Sequence, residues 1–295
     1  MLIDCHQHTH WHGRTTDGLI ADMDRAGIDV AWLLTWEVPE VECDLSYRPV
    51  FDPRRVGMPL EDVVHACERY PTRFIPGYAP DPRWPDAIER LESAVRMLGV
   101  GVYGELKVRI LMDDPDVVRV FRRCGELGVP VLFHIDIPAK ERPKPPARDY
   151  WYCLDIDRLE TVLKLCPDTN FIGHAPGFWR HISGDGYTAE GAYPKVPATP
   201  GGRVPELLAK YKNLYGDLSA GSGLTAISRP PEGHGRKFLI EFQDKLLFGR
   251  DQFDDALMNF LKQQKLPPDA WDKITFQNAL KLVPLKRGEA AKCRK

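Results

Sequence analysis

The whole chain alternates short apolar segments with segments whose apolar residues recur at helical spacing, and this alternation most constrains the fold. The apolar segments predict eight strands, at residues 3–8, 30–36, 73–78, 102–108, 129–134, 170–174, 214–217 and 245–249. A helix is predicted after each strand, at residues 19–26, 60–70, 86–98, 117–127, 157–165, 206–211, 237–242 and 255–261. Eight regular alternations without a break in composition predict an α/β fold, a single (β/α)8 TIM barrel.

The chain of 295 residues is long enough for one such barrel, which we place at residues 1–285, followed by a basic tail at residues 286–295. The 40 Lys and Arg residues nearly balance the 42 Asp and Glu residues, so no overall charge favours nucleic acid or an anionic membrane. With no leader-like N-terminus, no membrane-spanning apolar stretch and seven scattered cysteines, we expect a cytoplasmic protein with reduced thiols. A small-molecule substrate and a homo-oligomeric assembly are both compatible with this composition.

Two predicted connections, at residues 135–155 and 175–203, are far longer than the usual few residues. Each follows a strand, the fifth and the sixth. In a barrel both loops therefore lie at the carboxyl ends of the strands, where active sites are built. We expect them to form the walls of a substrate site.

The first predicted strand contains two histidines separated by one residue, His6 and His8. Side chains alternate along a strand, so both imidazoles are expected on one face, with Cys5 and Gln7 on the other. Imidazole is the commonest metal ligand in proteins, and two of them on a rigid strand make half of a divalent-metal site. The alternative at this point is a pair of ordinary surface or core histidines.

Polar residues also stand at the ends of later predicted strands. His134 ends the fifth strand, His174 ends the sixth, and Asp251 follows the eighth. Taken singly, each histidine is more often a structural residue, and the aspartate more often a turn residue. In a barrel, however, the carboxyl ends of all the strands surround one cavity. We therefore predict that these three residues converge with the first-strand histidines.

This set of residues resembles the amidohydrolase superfamily, specifically its amidohydrolase-2 branch of TIM-barrel metal-dependent hydrolases. The resemblance runs through Ile3-Asp4-Cys5-His6-Gln7-His8, Phe133-His134, Ile172-Gly173-His174-Ala175-Pro176-Gly177 and Phe248-Gly249-Arg250-Asp251, and so covers nearly the whole chain. It implies that a divalent metal is held or oriented by His6, His8, His134 and Asp251. It also implies that His174 is either a ligand of a second metal or a catalytic histidine.

The fourth strand departs from the family pattern. Many relatives with two metals have a carbamylated lysine there, whereas this chain reads Gly104-Glu105-Leu106-Lys107-Val108. Glu105 and Lys107 share one face of the strand, so both side chains can enter the cavity. We expect Glu105 to be a metal ligand, with Lys107 as its ion-pair partner or a substrate contact. The alternative is a buried Glu–Lys pair without a metal. Whether the site holds one ion or two therefore stays open.

The expected ligands suit Zn²⁺ best, with Mn²⁺ and Fe²⁺ as alternatives. Such an ion lowers the pKa of bound water and polarises a carbonyl. Asp251 is then the candidate general base, and His174 the candidate group that stabilises an oxyanion or protonates the leaving group. The residues predicted to bind substrate are Lys107 and, in the loop after the sixth strand, Trp179, Tyr187 and Arg203. Simple loop packing is the alternative for these last three.

The resemblance implies hydrolysis of an amide, ester, lactone or related bond in a small polar molecule, acidic or neutral. Two alternatives stay open. One is non-oxidative decarboxylation of a small carboxylated substrate on the same metal site. The other is a barrel that binds a metal or a ligand without turnover.

Overall fold

The computed structural model of the protein describes residues 1–43, 45–51, 56–137, 152–153 and 155–285. The predicted tail at 286–295 and most of the predicted loop at 135–155 lie outside these residues. Within the described residues, no helix has both the length and the apolar character needed to cross a membrane.

Eight strands follow one another along the described chain at the predicted places. They are β1 Ile3–His8, β2 Val30–Leu34, β3 Phe74–Pro76, β4 Tyr103–Leu106, β5 Val131–His134, β6 Phe171–His174, β7 Leu214–Asp217 and β8 Leu246–Leu247. The helices between and after them are α1 Thr16–Ala26, α2 Leu60–Arg69, α3 Ala87–Leu98, α4 Pro115–Leu127, α5 Ile156–Leu165, α6 Pro176–Trp179, α7 Arg203–Lys210, α8 Ala220–Ser228, α9 His234–Glu241, α10 Ala256–Gln263, α11 Pro268–Asp272 and α12 Asn278–Leu282. The predicted helices correspond to α1–α5, α7, α9 and α10, whereas α6, α8, α11 and α12 were not predicted.

The helix ends follow from local sequence. The Thr15 side chain accepts a hydrogen bond from the N–H of Gly18 and so caps the start of α1. Helices α1, α3 and α4 end at Gly27, Gly99 and Gly128, each with a positive φ that glycine adopts at little cost. These stops turn the chain back toward the next strand.

All strand pairings are parallel and join neighbours in sequence order, in one sheet of β1–β2–β3 and another of β4 to β8. Contacts join the two sheets at both edges. Gly77 bridges Val102 between β3 and β4, and the N–H of Cys5 in β1 donates to the Phe248 carbonyl beyond β8 at 3.0 Å. The eight strands thus enclose one interior with the helices outside, and the predicted (β/α)8 TIM barrel is confirmed.

The interior is apolar at the end where the strands begin. Its buried cluster takes residues from every strand or strand edge, together with α12 and the residue after it: Ile3, Cys5, Val30, Trp32, Leu34, Ile75, Val102, Leu132, Ile172, Tyr215, Leu247, Ala279, Leu282 and Val283. The outward residues of the same strands, such as Leu33 and Phe133, pack against the helices instead. Among the described residues, apolar side chains therefore fill the interior at this end, and the cavity lined by His134, His174 and Asp251 lies at the other.

The register of β1 on β2 explains how the adjacent residues Cys5 and His6 both come to face the interior. Asp4 pairs with Ala31 and Gln7 with Leu33, so the strand has one more residue than its partner between these pairs. Cys5 was expected to face away from the histidines, but it packs in the interior cluster below them. The prediction for Cys5 is therefore wrong, because the shift in register breaks the simple alternation of side chains at Cys5 and His6.

Candidate metal centre

The carboxyl ends of the strands bring all six predicted metal ligands to one buried place. His6 and His8 come from β1, Glu105 from β4, His134 from β5 and His174 from β6. Asp251 follows β8 and is fixed by its backbone, since its N–H donates to the His6 carbonyl at 2.9 Å. The five ligands on strands are each at most 6% exposed, so their polar atoms must be satisfied inside the protein.

The first group of candidate ligand atoms lies around His6 and His8. Their Nε2 atoms are 3.2 Å apart, and they lie 3.8 and 3.6 Å from Asp251 Oδ1. Glu105 Oε2 is 3.9 Å from His6 Nε2 and 3.4 Å from His8 Nε2. Ligand atoms of a tetrahedral zinc site with bonds of about 2.0–2.2 Å are roughly 3.3–3.6 Å apart. The atoms of His6, His8 and Asp251 are therefore spaced much as the ligands of one divalent ion would be, with Glu105 Oε2 at a similar distance from both histidines.

A second group lies on the other side of the Glu105 carboxylate. Glu105 Oε1 is 2.6 Å from His134 Nδ1 and 3.7 Å from His174 Nε2. These three atoms all lie within 4.8 Å of one another. One carboxylate therefore presents a different oxygen to each of two groups of histidines, and its 2.6 Å contact with His134 Nδ1 is a hydrogen bond, shorter than the spacing of two ligands on one ion.

Asp217 and Ser219, at the end of β7, orient two of the histidines. Asp217 Oδ2 accepts hydrogen bonds from His6 Nδ1 at 2.7 Å and from Ser219 Oγ at 2.7 Å, and it lies 3.2 Å from His174 Nδ1. The Nε2 atoms of His6 and His174 are thereby directed into the centre. Neither Asp217 nor Ser219 was predicted as a site residue, although Asp217 ends its strand as His134 and His174 end theirs.

His8 is oriented by the backbone. Its Nδ1 donates to the Leu34 carbonyl in β2 at 2.9 Å, which directs Nε2 toward Asp251. Together with Asp217, this arrangement fixes three imidazoles through hydrogen bonds on the side away from the centre.

The charges of the cluster shift the pKa values of its members strongly. Burial lowers the pKa of His6, but the charges of Asp251, Asp217 and Glu105 outweigh it and raise that pKa to about 10. Burial and the neighbouring charge of His6 lower the pKa of His174. Burial opposes ionisation of Glu105, yet Lys107 and His134 hold its pKa well below the usual range. The cluster thus favours ionised carboxylates with positive charge held between them.

Two buried polar atoms fit a role in binding a cation or a ligand. Among the residues that the structure describes, Asp251 Oδ1 and His134 Nε2 have no hydrogen-bond partner. An unsatisfied buried carboxylate oxygen costs free energy, and a divalent cation between it and the histidine Nε2 atoms would remove that cost. The donor set of imidazoles and carboxylates is also the one that Zn²⁺, Mn²⁺ and Fe²⁺ accept.

The centre opens into a cavity of about 860 Å³ at the carboxyl end of the barrel. Its described walls include the aromatic residues Trp11, Tyr47, Tyr187 and Tyr193. Lys107 lies in the wall next to the centre, and its pKa stays raised although burial lowers it, because Tyr47, Glu105, Asp136 and Asp251 surround it. The cavity therefore has room for a small molecule in contact with the candidate ligands.

Two of the residues predicted to bind substrate do not line this cavity. Trp179 is 1% exposed, and its indole N–H donates to the Asp217 carbonyl at 2.7 Å. Arg203 starts α7 and forms ion pairs with Glu160 and Glu206. The structure thus corrects both predictions, because packing and surface ion pairs account for these side chains. Lys107 and Tyr187 do reach the cavity, and Tyr187 also donates to Asp157 at 2.7 Å.

A parallel (β/α)8 barrel with histidines and carboxylates gathered at the carboxyl ends of its strands is an arrangement that can hold a divalent metal. The sequence profile of the amidohydrolase family, in its amidohydrolase-2 branch, matches residues 3–285, so the chain belongs to that family. No curated protein matches the sequence significantly.

Solved structures share the fold at low sequence identity. A dihydroxybenzoic acid decarboxylase from Polaromonas sp., with bound manganese and an inhibitor, matches with a TM-score of 0.60 at 18% identity over 98% of each chain. A probable 2-pyrone-4,6-dicarboxylic acid hydrolase from Acinetobacter baumannii matches with a TM-score of 0.58 at 15% identity, over 95% of this chain and 98% of that one. An uncharacterised TIM-barrel protein from Bordetella bronchiseptica matches with a TM-score of 0.57 at 17% identity, over 95% of this chain and 83% of that one. The family and these neighbours include both hydrolases and decarboxylases.

Proposed function

We propose that the protein is a hydrolase with a centre for two divalent ions, which cleaves an amide, ester, lactone or related bond in a small polar molecule. The observation that carries this proposal is the position of Glu105, whose two carboxylate oxygens each face a different group of histidines. Zn²⁺ is the ion we propose, and Mn²⁺ and Fe²⁺ are the alternatives to be tested.

The residues that would hold the first ion are His6, His8, Asp251 and Glu105, and those for the second are Glu105, His134 and His174. When bound, such ions lower the pKa of a water molecule and polarise the substrate carbonyl. Asp251 would accept the proton of the attacking water, because its side chain is 14% exposed and lines the cavity where substrate enters. Asp217 keeps His6 and His174 in place while the proton moves.

The second role predicted for His174 depends on the number of ions. With both ions present, its Nε2 is used as a ligand, and Asp251 alone transfers protons. With one ion bound to the first group, His174 would donate from Nε2 to the developing oxyanion or the leaving group only as an imidazolium, a form that its lowered pKa restricts to acid pH.

Non-oxidative decarboxylation is the second candidate. The first group, with His6, His8 and Asp251, has enough ligands for one ion without the second group. The manganese-bound decarboxylase from Polaromonas sp. has the same fold. In this case the bond to the carboxylate would break, CO2 would leave, and the substrate carbon would take up a proton in its place, with no oxygen from water added.

One experiment separates these candidates. Protein stripped with a chelator is reloaded with Zn²⁺, Mn²⁺ or Fe²⁺, and its metal content is measured. It is then incubated with panels of amides, esters, lactones and carboxylated aromatic compounds in water with labelled oxygen. We expect two ions per chain and one labelled oxygen in the product. Stoichiometric CO2 release without label would overturn the hydrolase proposal, and the absence of bound metal would overturn the metal centre.

A further inference from the structure

Asp251 has a backbone conformation that few residues other than glycine adopt. Its φ is 52°, in the left-handed region, where the Cβ lies too close to the following carbonyl. Its N–H donates to the His6 carbonyl at 2.9 Å, and its own carbonyl accepts from the Trp11 indole N–H at 2.8 Å. Such a conformation persists only where its surroundings determine it. Contacts with β1 and the residues just after it therefore set the direction of the Asp251 side chain.

Asp4, in β1, holds the residue that precedes Asp251. Its Oδ1 accepts from the backbone N–H of Arg250 at 2.9 Å and from that of His6 at 3.2 Å. Its Oδ2 accepts from Arg250 Nε at 2.8 Å. Both side chains are buried, and Arg250 Nη2 lies 2.8 Å from Asp22 Oδ2, so each charge has a partner. One carboxylate thus joins the strand that carries the histidines to the backbone before Asp251.

Gln7, also in β1, holds the residue that follows Asp251. Its Nε2 donates to Asp4 Oδ2 at 2.8 Å and to the Gln252 carbonyl at 3.1 Å. The side chain is 0% exposed, and its Oε1 has no hydrogen-bond partner within the described part of the chain. Such an oxygen costs free energy, and the flipped amide would place it against two other acceptors. Gln7 therefore provides two donors at a cost in stability.

We propose that Asp4, Gln7 and Trp11 are positioning residues for Asp251. They hold the backbone on both sides of it, and this keeps Asp251 Oδ1 at 3.8 and 3.6 Å from the Nε2 atoms of the two β1 histidines. Neither Asp4 nor Gln7 belongs to the described walls of the cavity, so both act through Asp251 and not on a substrate. The inference rests on the proposed function, in which Asp251 binds an ion and accepts a proton.

The test compares Gln7→Met with Gln7 in two backgrounds. Methionine keeps the length of the side chain and removes both donors together with the unpaired acceptor. The first background is the wild type. The second is Asp251→Gly, which lacks the carboxylate and adopts a positive φ at little cost, so that it needs no positioning. Gln243→Met is the matched control, because the Gln243 amide donates to the Ile240 carbonyl of α9 at 2.9 Å.

The first readout is the affinity for Co²⁺, measured by absorption during titration of metal-stripped protein. In the wild-type background, Gln7→Met should lower this affinity about tenfold, as expected for a partner of a metal ligand. In the Asp251→Gly background the same change should have an effect below roughly twofold. An equal loss in both backgrounds would contradict the proposal. A lower midpoint of urea unfolding with unchanged Co²⁺ affinity would show a purely structural role and would also contradict it.

The second readout needs no metal. In stripped protein, exchange of the Asp251 backbone N–H with solvent, followed by NMR, measures how often its contact with the His6 carbonyl opens. We expect exchange up to about tenfold faster in Gln7→Met, through loss of hydrogen bonds that hold the segment. Trp11→Phe, which keeps an aromatic ring without the indole N–H, should act in the same direction. Exchange as slow as in Gln243→Met would count against the positioning role.

The two readouts keep this inference separate from the proposed function. If the wild type binds Co²⁺ and neither readout responds to Gln7→Met, the positioning role is wrong and the metal centre stands. If the wild type binds no metal, the proposed function is wrong, and faster exchange in Gln7→Met still supports the positioning of Asp251. If Gln7→Met does not fold, Trp11→Phe replaces it in both backgrounds, and the same outcomes decide.

Discussion

The two ends of the barrel interior are built from the same strands and have opposite chemistry. Where the strands begin, Ile3, Leu132 and Leu247 pack with α12 and exclude water. Where they end, β1 and β5 present His6 and His134 to a group of carboxylates. One end therefore supplies stability through apolar burial, and the other holds charges that burial alone would disfavour. We therefore predict that mutations where the strands begin will lower the free energy of unfolding. Mutations where the strands end should instead lower the reaction rate or the metal affinity.

The largest effect is expected at the carboxyl end. Asp251→Asn keeps the size of the side chain but removes the base, so we expect the reaction rate to fall by about 10²- to 10⁴-fold. The free energy of unfolding should change little, since Asp251 Oδ1 has no hydrogen-bond partner among the described residues. Steady-state kinetics and denaturant titration of one preparation measure both. An unchanged rate would contradict the role given to Asp251.

Leu132→Ala tests the opposite end. Leu132 is fully buried in the apolar cluster, and truncation of such a residue lowers the free energy of unfolding by about 2–5 kcal/mol. Metal content of the folded fraction should stay as in the wild type. Urea unfolding together with metal analysis checks this, and loss of metal at full stability would show that the two ends are not independent.

Asp217→Asn tests whether a residue that orients the ligands affects the affinity for metal. The variant replaces the carboxylate that accepts from His6 and contacts His174, so metal affinity should fall by about 10- to 100-fold. A titration of stripped protein with Co²⁺, followed by its absorption spectrum, measures the affinity. Asp244→Asn is the control, because Asp244 pairs with Lys273 at the surface. Equal metal affinity in the two variants would contradict the role of Asp217 in orienting His6 and His174.

The smallest effect is expected for Arg203→Gln. Arg203 pairs with Glu160 and Glu206 on the outside of the barrel and does not line the described cavity. We expect a loss of at most about 1 kcal/mol in the free energy of unfolding and unchanged kinetics. A large rise in KM without loss of stability would restore the original prediction that this residue binds substrate.

The sequence predicts the barrel and the convergence of the six candidate ligands at one end of it, because apolar alternation and the positions of strand ends can be read directly. It does not reveal Asp217 as a partner of His6 and His174, since an aspartate after a strand is common and the contact joins distant segments. Trp179 shows a second limit. Its ring packs closely against Gly216 in β7, where an added Cβ would lie 3.0 Å from the nearest ring carbon, so the buried position of the ring depends partly on a residue in a distant strand.

The shift in register within β1 is also invisible in the sequence. Strict alternation predicts that Cys5 faces away from His6, whereas the pairing with β2 places both in the interior. Which side chains face inward at such a point depends on the partner strand. The prediction that His6 and His8 share one face is unaffected, because these two residues still alternate about Gln7.

The most direct test of the account is a crystal of the zinc-loaded protein measured at the zinc absorption edge. We predict two anomalous peaks, one on each side of the Glu105 carboxylate. One should lie within about 2.0–2.2 Å of His6 and His8, and the other within the same distance of His134 and His174. A single peak that leaves Glu105 uncoordinated, or no peak, would contradict the proposal that Glu105 bridges two ions.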